Sequence, residues 1–229
     1  MAPPPSSTTA TLEPEAEDGE EPAPRHLPHW FTAELGVRAM LVTNDGFEPF
    51  TNSEVSLLGQ LVVAGSITPL KFDPISIAIV PEYNVGARSG NVRGQESSLT
   101  LHRLAAGVRI DATITRHIHT YARVAPGAIY LHGSIRDAAI DRPLVSNAWT
   151  WGLDATAGVA ILMGAVGDRK DPAVGFWLLA EYGYMFAGEQ EMSYAPAEDE
   201  DDPRRFGNID LPAIRPAGVV NRLAVALSF

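Results

Sequence analysis

The chain has 229 residues, with 28 Asp and Glu against 17 Lys and Arg and no cysteine. Without cysteine there is no disulfide framework, thiolate nucleophile or Cys-ligated zinc or iron–sulfur site. The net charge of −11 argues against a nucleic-acid binder, which needs a basic face.

The charge is unevenly placed. Residues 1–25 hold six acids (Glu13, Glu15, Glu17, Asp18, Glu20 and Glu21) and one base, Arg25. Residues 189–202 hold seven more acids. Setting those thirteen acids and one base aside leaves 15 acids against 16 bases, so the body is nearly neutral. Both acidic segments have few large apolar residues and cannot bury enough surface to offset the entropy of ordering. Residues 1–28 therefore read as a disordered tail, residues 29–229 as the folded domain, and residues 189–213 as mostly a long loop. The first 25 residues lack the basic start and apolar core of an export signal, which by itself suggests a cytosolic protein or a signal already removed. The longest run of apolar residues and glycine, Ala157 to Gly167, is eleven residues, too short for a transmembrane helix.

From Trp30 onward apolar and polar residues alternate with period two, the signature of strands with two different faces. The pattern predicts eight strands, at residues 30–42, 55–66, 75–88, 103–114, 117–136, 148–163, 174–187 and 217–229. Short turns fall near Thr68–Asp73, Thr115–Arg116 and Ala165–Pro172. Long polar loops fall at Asn44–Glu54, Ser89–Ser97, Asp137–Asn147 and Glu189–Pro216. Turns on one side and loops on the other describe an all-β, antiparallel, up-and-down meander that can close into a barrel. Pro81 and Pro126 fall inside predicted strands, where each requires a bulge or local break.

A soluble lipocalin-like barrel is apolar inside, whereas a transmembrane barrel is reversed. The polar face decides between them. It carries Glu34, Arg38, Glu82, Arg103, Arg109, Asp111, Arg123, Asp154, Glu181 and Arg222 at mid-strand, among small residues. The chain has only two lysines, Lys71 and Lys170, too few for an ordinary wetted exterior. A crowded lumen instead favours small residues beside Arg–carboxylate pairs. No charge lies mid-strand on the apolar face, where an Arg near the membrane midplane costs roughly 2–4 kcal/mol. Trp30, Phe31, Trp149, Trp151, Phe186 and Phe229 lie near strand ends, where interfacial girdles belong. The expectation is an eight-stranded transmembrane barrel, its lumen plugged by that charge network.

The chain ends Arg222-Leu-Ala-Val-Ala-Leu-Ser-Phe229, an alternating strand closing on phenylalanine. This resembles the C-terminal signal of bacterial outer-membrane barrels, and with eight strands and a charged lumen the chain resembles the small OmpA/OmpX-type barrels. The resemblance implies an outer-membrane location, Phe229 as a signal to the barrel assembly machinery, contacts with membrane lipids and lipopolysaccharide, and a monomer. It also implies termini on the periplasmic side and long loops outside.

His132-Gly133-Ser134 matches the His-x-Ser spacing of outer-membrane lipid A hydrolases, but no acid is placed to orient His132. His117 and His119 share a face at a spacing that can bind metal, with no third ligand. Glu198–Asp202 lacks the glycine turn and ligand spacing of a calcium loop. The expectation is therefore no enzyme, no metal and no cofactor, with a lipid A-modifying hydrolase, a narrow channel or a soluble binding barrel as alternatives.

Overall fold

A computed structural model of the chain describes residues 30–51, 56–92, 95–136, 143–168, 171–196 and 209–229. The tail at 1–28 and the acidic run 198–202 lie outside these residues. Ten strands follow in order: β1 (Phe31–Val42), β2 (Ser56–Phe72), β3 (Ile75–Val92), β4 (Gln95–Thr115), β5 (Ile118–Arg136), β6 (Leu144–Asp168), β7 (Asp171–Ala187), β8 (Gln190–Pro196), β9 (Ile209–Ile214) and β10 (Gly218–Ser228). Each of β1 to β6 pairs antiparallel with the next, and β10 returns between β7 and β1, so eight strands close a ring. The seam joins Thr32↔Ser228 through Val42↔Gly218. Closure leaves no free edge, which the hydrocarbon of a bilayer requires.

The eight expected segments are the eight ring strands, but several run longer. Within the segment Ser89–Ser97, read as a loop, residues 89–92 and 95–97 instead continue the ladder as Ser89↔Ser98, Gly90↔Ser97, Asn91↔Glu96 and Val92↔Gln95. A ladder needs only backbone groups. Beyond the membrane it persists after the apolar alternation has stopped. The long loop expected at 189–213 likewise contains the β8–β9 hairpin, whose β8 also pairs with the start of β6. Strands of 19 and 21 residues, β5 and β4, exceed the 9–11 residues that cross a bilayer and project beyond it. The end carrying the β8–β9 hairpin is called the outer end here. The inner end carries both chain ends of the barrel and the turns at Asp73–Pro74 and Arg116–His117.

Each proline interrupts one ladder and leaves the other whole. The β2–β3 pairing skips between Ala64↔Glu82 and Ile67↔Ile79, while Pro81↔Ala106 continues on the β4 side. The β4–β5 pairing skips between Ala105↔Gly127 and Val108↔Val124, while Pro126↔Leu153 continues on the β6 side. Neither break shifts the register, because the missing N–H removes a bond without adding a residue.

The two faces are reversed relative to a soluble protein. Leu35, Val37, Leu61, Val63, Val108, Ile110, Leu223 and Val225 project outward and are exposed. At one end Tyr83, Tyr130, Trp149, Tyr184 and Phe186 form an aromatic band, with the Tyr130 and Trp149 rings 5.0 Å apart. At the other, Phe31, Phe72, Phe176 and Phe229 form a second, with Phe31 and Phe229 stacked at 6.3 Å. An apolar belt between two aromatic girdles is the surface of a protein solvated by lipid. The chain is an eight-stranded, antiparallel transmembrane β-barrel.

Candidate functional site

The lumen is built in three layers. In the middle, nine of the ten predicted charged residues are buried and Asp111 is half-buried, all on the inner face. They come from seven of the eight ring strands, all but β2. Arg38 of β1 grips Asp154 of β6 with two bonds, at 2.7 and 2.9 Å. Arg103 reaches Glu82 at 2.9 Å and Asp154 at 3.0 Å, and donates to the Ala125 carbonyl at 2.7 Å. Arg123 pairs with Glu82 and, at 2.9 Å, with Glu181. Arg222 reaches Glu34 at 2.7 Å, Glu181 at 3.0 Å and Glu82 at 3.2 Å. Arg109 joins Glu34 at 2.7 Å and Asp111 at 3.0 Å.

Glu82 is the hub, within ion-pair distance of Arg38, Arg103, Arg123 and Arg222, and it also accepts from the Asn84 amide at 2.8 Å. The arrangement solves a register problem. Arg38 lies directly opposite Arg222, and Arg109 opposite Arg123. Like charges face to face are destabilising, and the carboxylates of Glu34, Glu82 and Glu181 stand among these guanidiniums. Tyr121 donates to Glu181 at 3.1 Å. At this level β2 offers only Gln60, whose amide oxygen and nitrogen are buried without a partner.

The outer layer is apolar. Residues 45–50 form a 3₁₀ turn whose Asn44 side chain accepts from the Gly46 N–H, and Phe47 and Phe50 are buried by it. They pack with Met40, Leu58, Leu99, Leu101, Ile129 and Leu131 from the walls and with Met192, Tyr194 and Ile214 of the outer hairpin. Burial pushes the Tyr194 hydroxyl above the usual phenol range, so it stays neutral. Two glycines make room. A Cβ at Gly133 would fall 2.2 Å from the Tyr194 hydroxyl, and one at Gly90 would meet the Phe50 backbone at 2.7 Å. The sequence reading missed this layer; its signal was two phenylalanines flanking Pro49 in a loop read as polar.

The remaining candidates are dispersed. His132 and Ser134 lie on the outer face of β5, and the His132 Nδ1 bonds the Asn147 side-chain oxygen at 2.7 Å rather than a carboxylate. His117 is exposed in a turn, whereas His119 points inward, bonded to Thr113 at 3.0 Å. No cluster of three potential metal ligands occurs among the described residues. Phe229 sits at the inner rim, where its backbone oxygen accepts from the Trp30 N–H at 3.0 Å.

The closed ring and reversed faces define a small eight-stranded transmembrane barrel. No family model and no curated protein sequence matches the chain. Among solved structures it is similar to Neisserial surface protein A, with 11% identity, 86% of this chain and 94% of that chain covered, and a TM-score of 0.47. It is also similar to Ail, the attachment invasion locus protein of Yersinia pestis, with 9% identity, 86% and 96% covered, and a TM-score of 0.43. The transport unit of the autotransporter AIDA-I from Escherichia coli follows, with 10% identity, 88% and 90% covered, and a TM-score of 0.39.

Proposed function

We propose that the protein is a non-enzymatic, non-conducting barrel of a bacterial outer membrane that acts at its outer end, as an envelope element or through surface contacts. The carrying observation is double occlusion of the lumen, by the Arg–carboxylate lattice and by the apolar layer above it. An eight-stranded barrel is only wide enough for side chains to fill. Here the filling is cross-linked, since each guanidinium of the lattice bonds carboxylates on other strands. On this reading membrane lipids and lipopolysaccharide surround a monomer, and Phe229 signals to the assembly machinery.

Planar-bilayer recording of the refolded chain tests the closed lumen. The expected result is a silent membrane with intact, heat-modifiable protein. Steady unitary currents would overturn it. Mass spectrometry of lipid A from cells with and without the protein tests the rest. Identical lipid A is expected, and a deacylated species dependent on Ser134 would establish the hydrolase instead. For the assembly signal, Phe229→Ala is expected to cut the folded fraction in cells several-fold while the purified variant still refolds in detergent.

A further inference from the structure

A cavity of about 90 Å³ opens in the lumen at the inner end, below the charge lattice. That is room for roughly three waters at about 30 Å³ each. Its wall includes Lys71, Ser76, Arg109 and His119, and also the carboxylates of Glu34 and Asp111.

Lys71 faces this cavity because of a bulge. On β2 the even-numbered residues face inward as far as Ser66 and Thr68. Continued without interruption, the alternation would turn Lys71 toward lipid. The β2–β3 register shifts between Ile67 and Leu70, at Pro69, and past the shift Lys71 pairs with the inward-facing Ser76. Bulges commonly re-aim a side chain in this way. The Lys71 Nζ is buried and has no hydrogen-bond partner, its one described contact being the Trp30 ring with its centroid 5.0 Å away.

The local charge identifies what fits. Glu34 is held by Arg109 and Arg222, and Asp111 by Arg109. The lattice balances five guanidiniums against five carboxylates, so Lys71 is surplus positive charge. Arg109 uses Nε on Asp111 and Nη1 on Glu34, and its Nη2 makes no hydrogen bond among the described residues. The Lys71 ammonium, a guanidinium N–H and the Ser76 hydroxyl together give the cavity donors not matched within the lattice. Both carboxylates on the wall, Glu34 and Asp111, are already paired with guanidiniums, whereas the Lys71 ammonium has no carboxylate partner.

We propose that this inner cavity binds a small phosphate-type oxyanion, with Lys71 as its charge partner and Ser76 and Arg109 as further donors. The phosphate can be free or the headgroup of a lipid of the adjoining leaflet. The test uses the full chain in a non-ionic detergent, following the indole N–H resonance of Trp177, which also lines the cavity. Inorganic phosphate is titrated at constant ionic strength against chloride, and phosphatidylglycerol is added to the micelle in a parallel series.

A saturable shift with phosphate marks a free anion, and one seen only with the lipid marks a headgroup; both support the proposal. Lys71→Met is expected to weaken binding by about tenfold or more, the usual effect of losing a charge-assisted bond. Lys71→Arg should retain binding, and Arg215→Met, at the exposed pair with Glu189 of the outer end, should leave it unchanged. Should Lys71→Met not fold, Ser76→Val, which blocks the wall beside Lys71, carries the same expected loss. No saturable shift in either series, or unchanged affinity in the folded Lys71 or Ser76 variant, overturns the proposal.

Discussion

The middle and outer layers of the lumen close the same barrel with opposite chemistry. In the middle, charges from seven strands meet pairwise, and removing one group orphans several others. In the outer layer, phenylalanine, leucine and methionine meet by shape, and a lost group leaves only a void. An ion lattice is specific but unforgiving, because its internal attraction offsets a large desolvation cost only when complete. An apolar layer is less exacting, because dispersion and burial accumulate atom by atom.

That contrast can be broken most forcefully at Glu82. Glu82→Ala leaves Arg38, Arg103, Arg123 and Arg222 without their shared anion and is expected to cost about 3–5 kcal/mol. Urea unfolding in detergent, followed by heat-modifiable migration, reads this. Because the site is buried, added salt should restore little of the loss. A cost below about 1 kcal/mol would mean that the lattice is not what holds the ring.

In the outer layer, Phe50→Ala removes a buried ring and is expected to cost about 3 kcal/mol. The damage should be local. Hydrogen exchange should quicken in β8, β9 and residues 45–50, with β1–β10 pairing at the level of Arg38 still protected. If the middle layer loosens equally, the two layers form one cooperative unit. Gly133→Ala pushes a methyl against Tyr194 and should cost about 1–3 kcal/mol, with exchange again concentrated in the hairpin. The smallest expected effect has the opposite sign. Gln60→Met replaces an unpartnered buried amide with a thioether of similar length and should gain about 1 kcal/mol in the same unfolding assay.

Much of this was legible in the sequence because membrane and lumen are a high-contrast pair of environments. Leu35 and Arg38 fall on opposite faces by parity alone, and the same parity sets the ten charged residues on the face opposite the apolar one. Parity carries no information on which carboxylate meets which guanidinium, since Arg109 and Glu34 are 75 residues apart. It also fails where contrast vanishes. Leu99 and Leu101 face inward, but the apolar outer lumen resembles the lipid side in hydropathy. Phe47 and Phe50 belong to no strand, so periodicity could not place them. Lys71 was hidden differently: Pro69 marked an end to regular strand, which read as a turn rather than as a bulge with strand beyond it.

The seam between β1 and β10 has a consequence for biogenesis. It pairs residues almost two hundred positions apart, from Thr32↔Ser228 to Val42↔Gly218, and is formed by the last eleven strand residues of the chain. Until those residues are made and delivered, β1 and β7 each present an unpaired edge, which hydrocarbon does not accept. The ring is therefore complete only when β10 lies between β7 and β1.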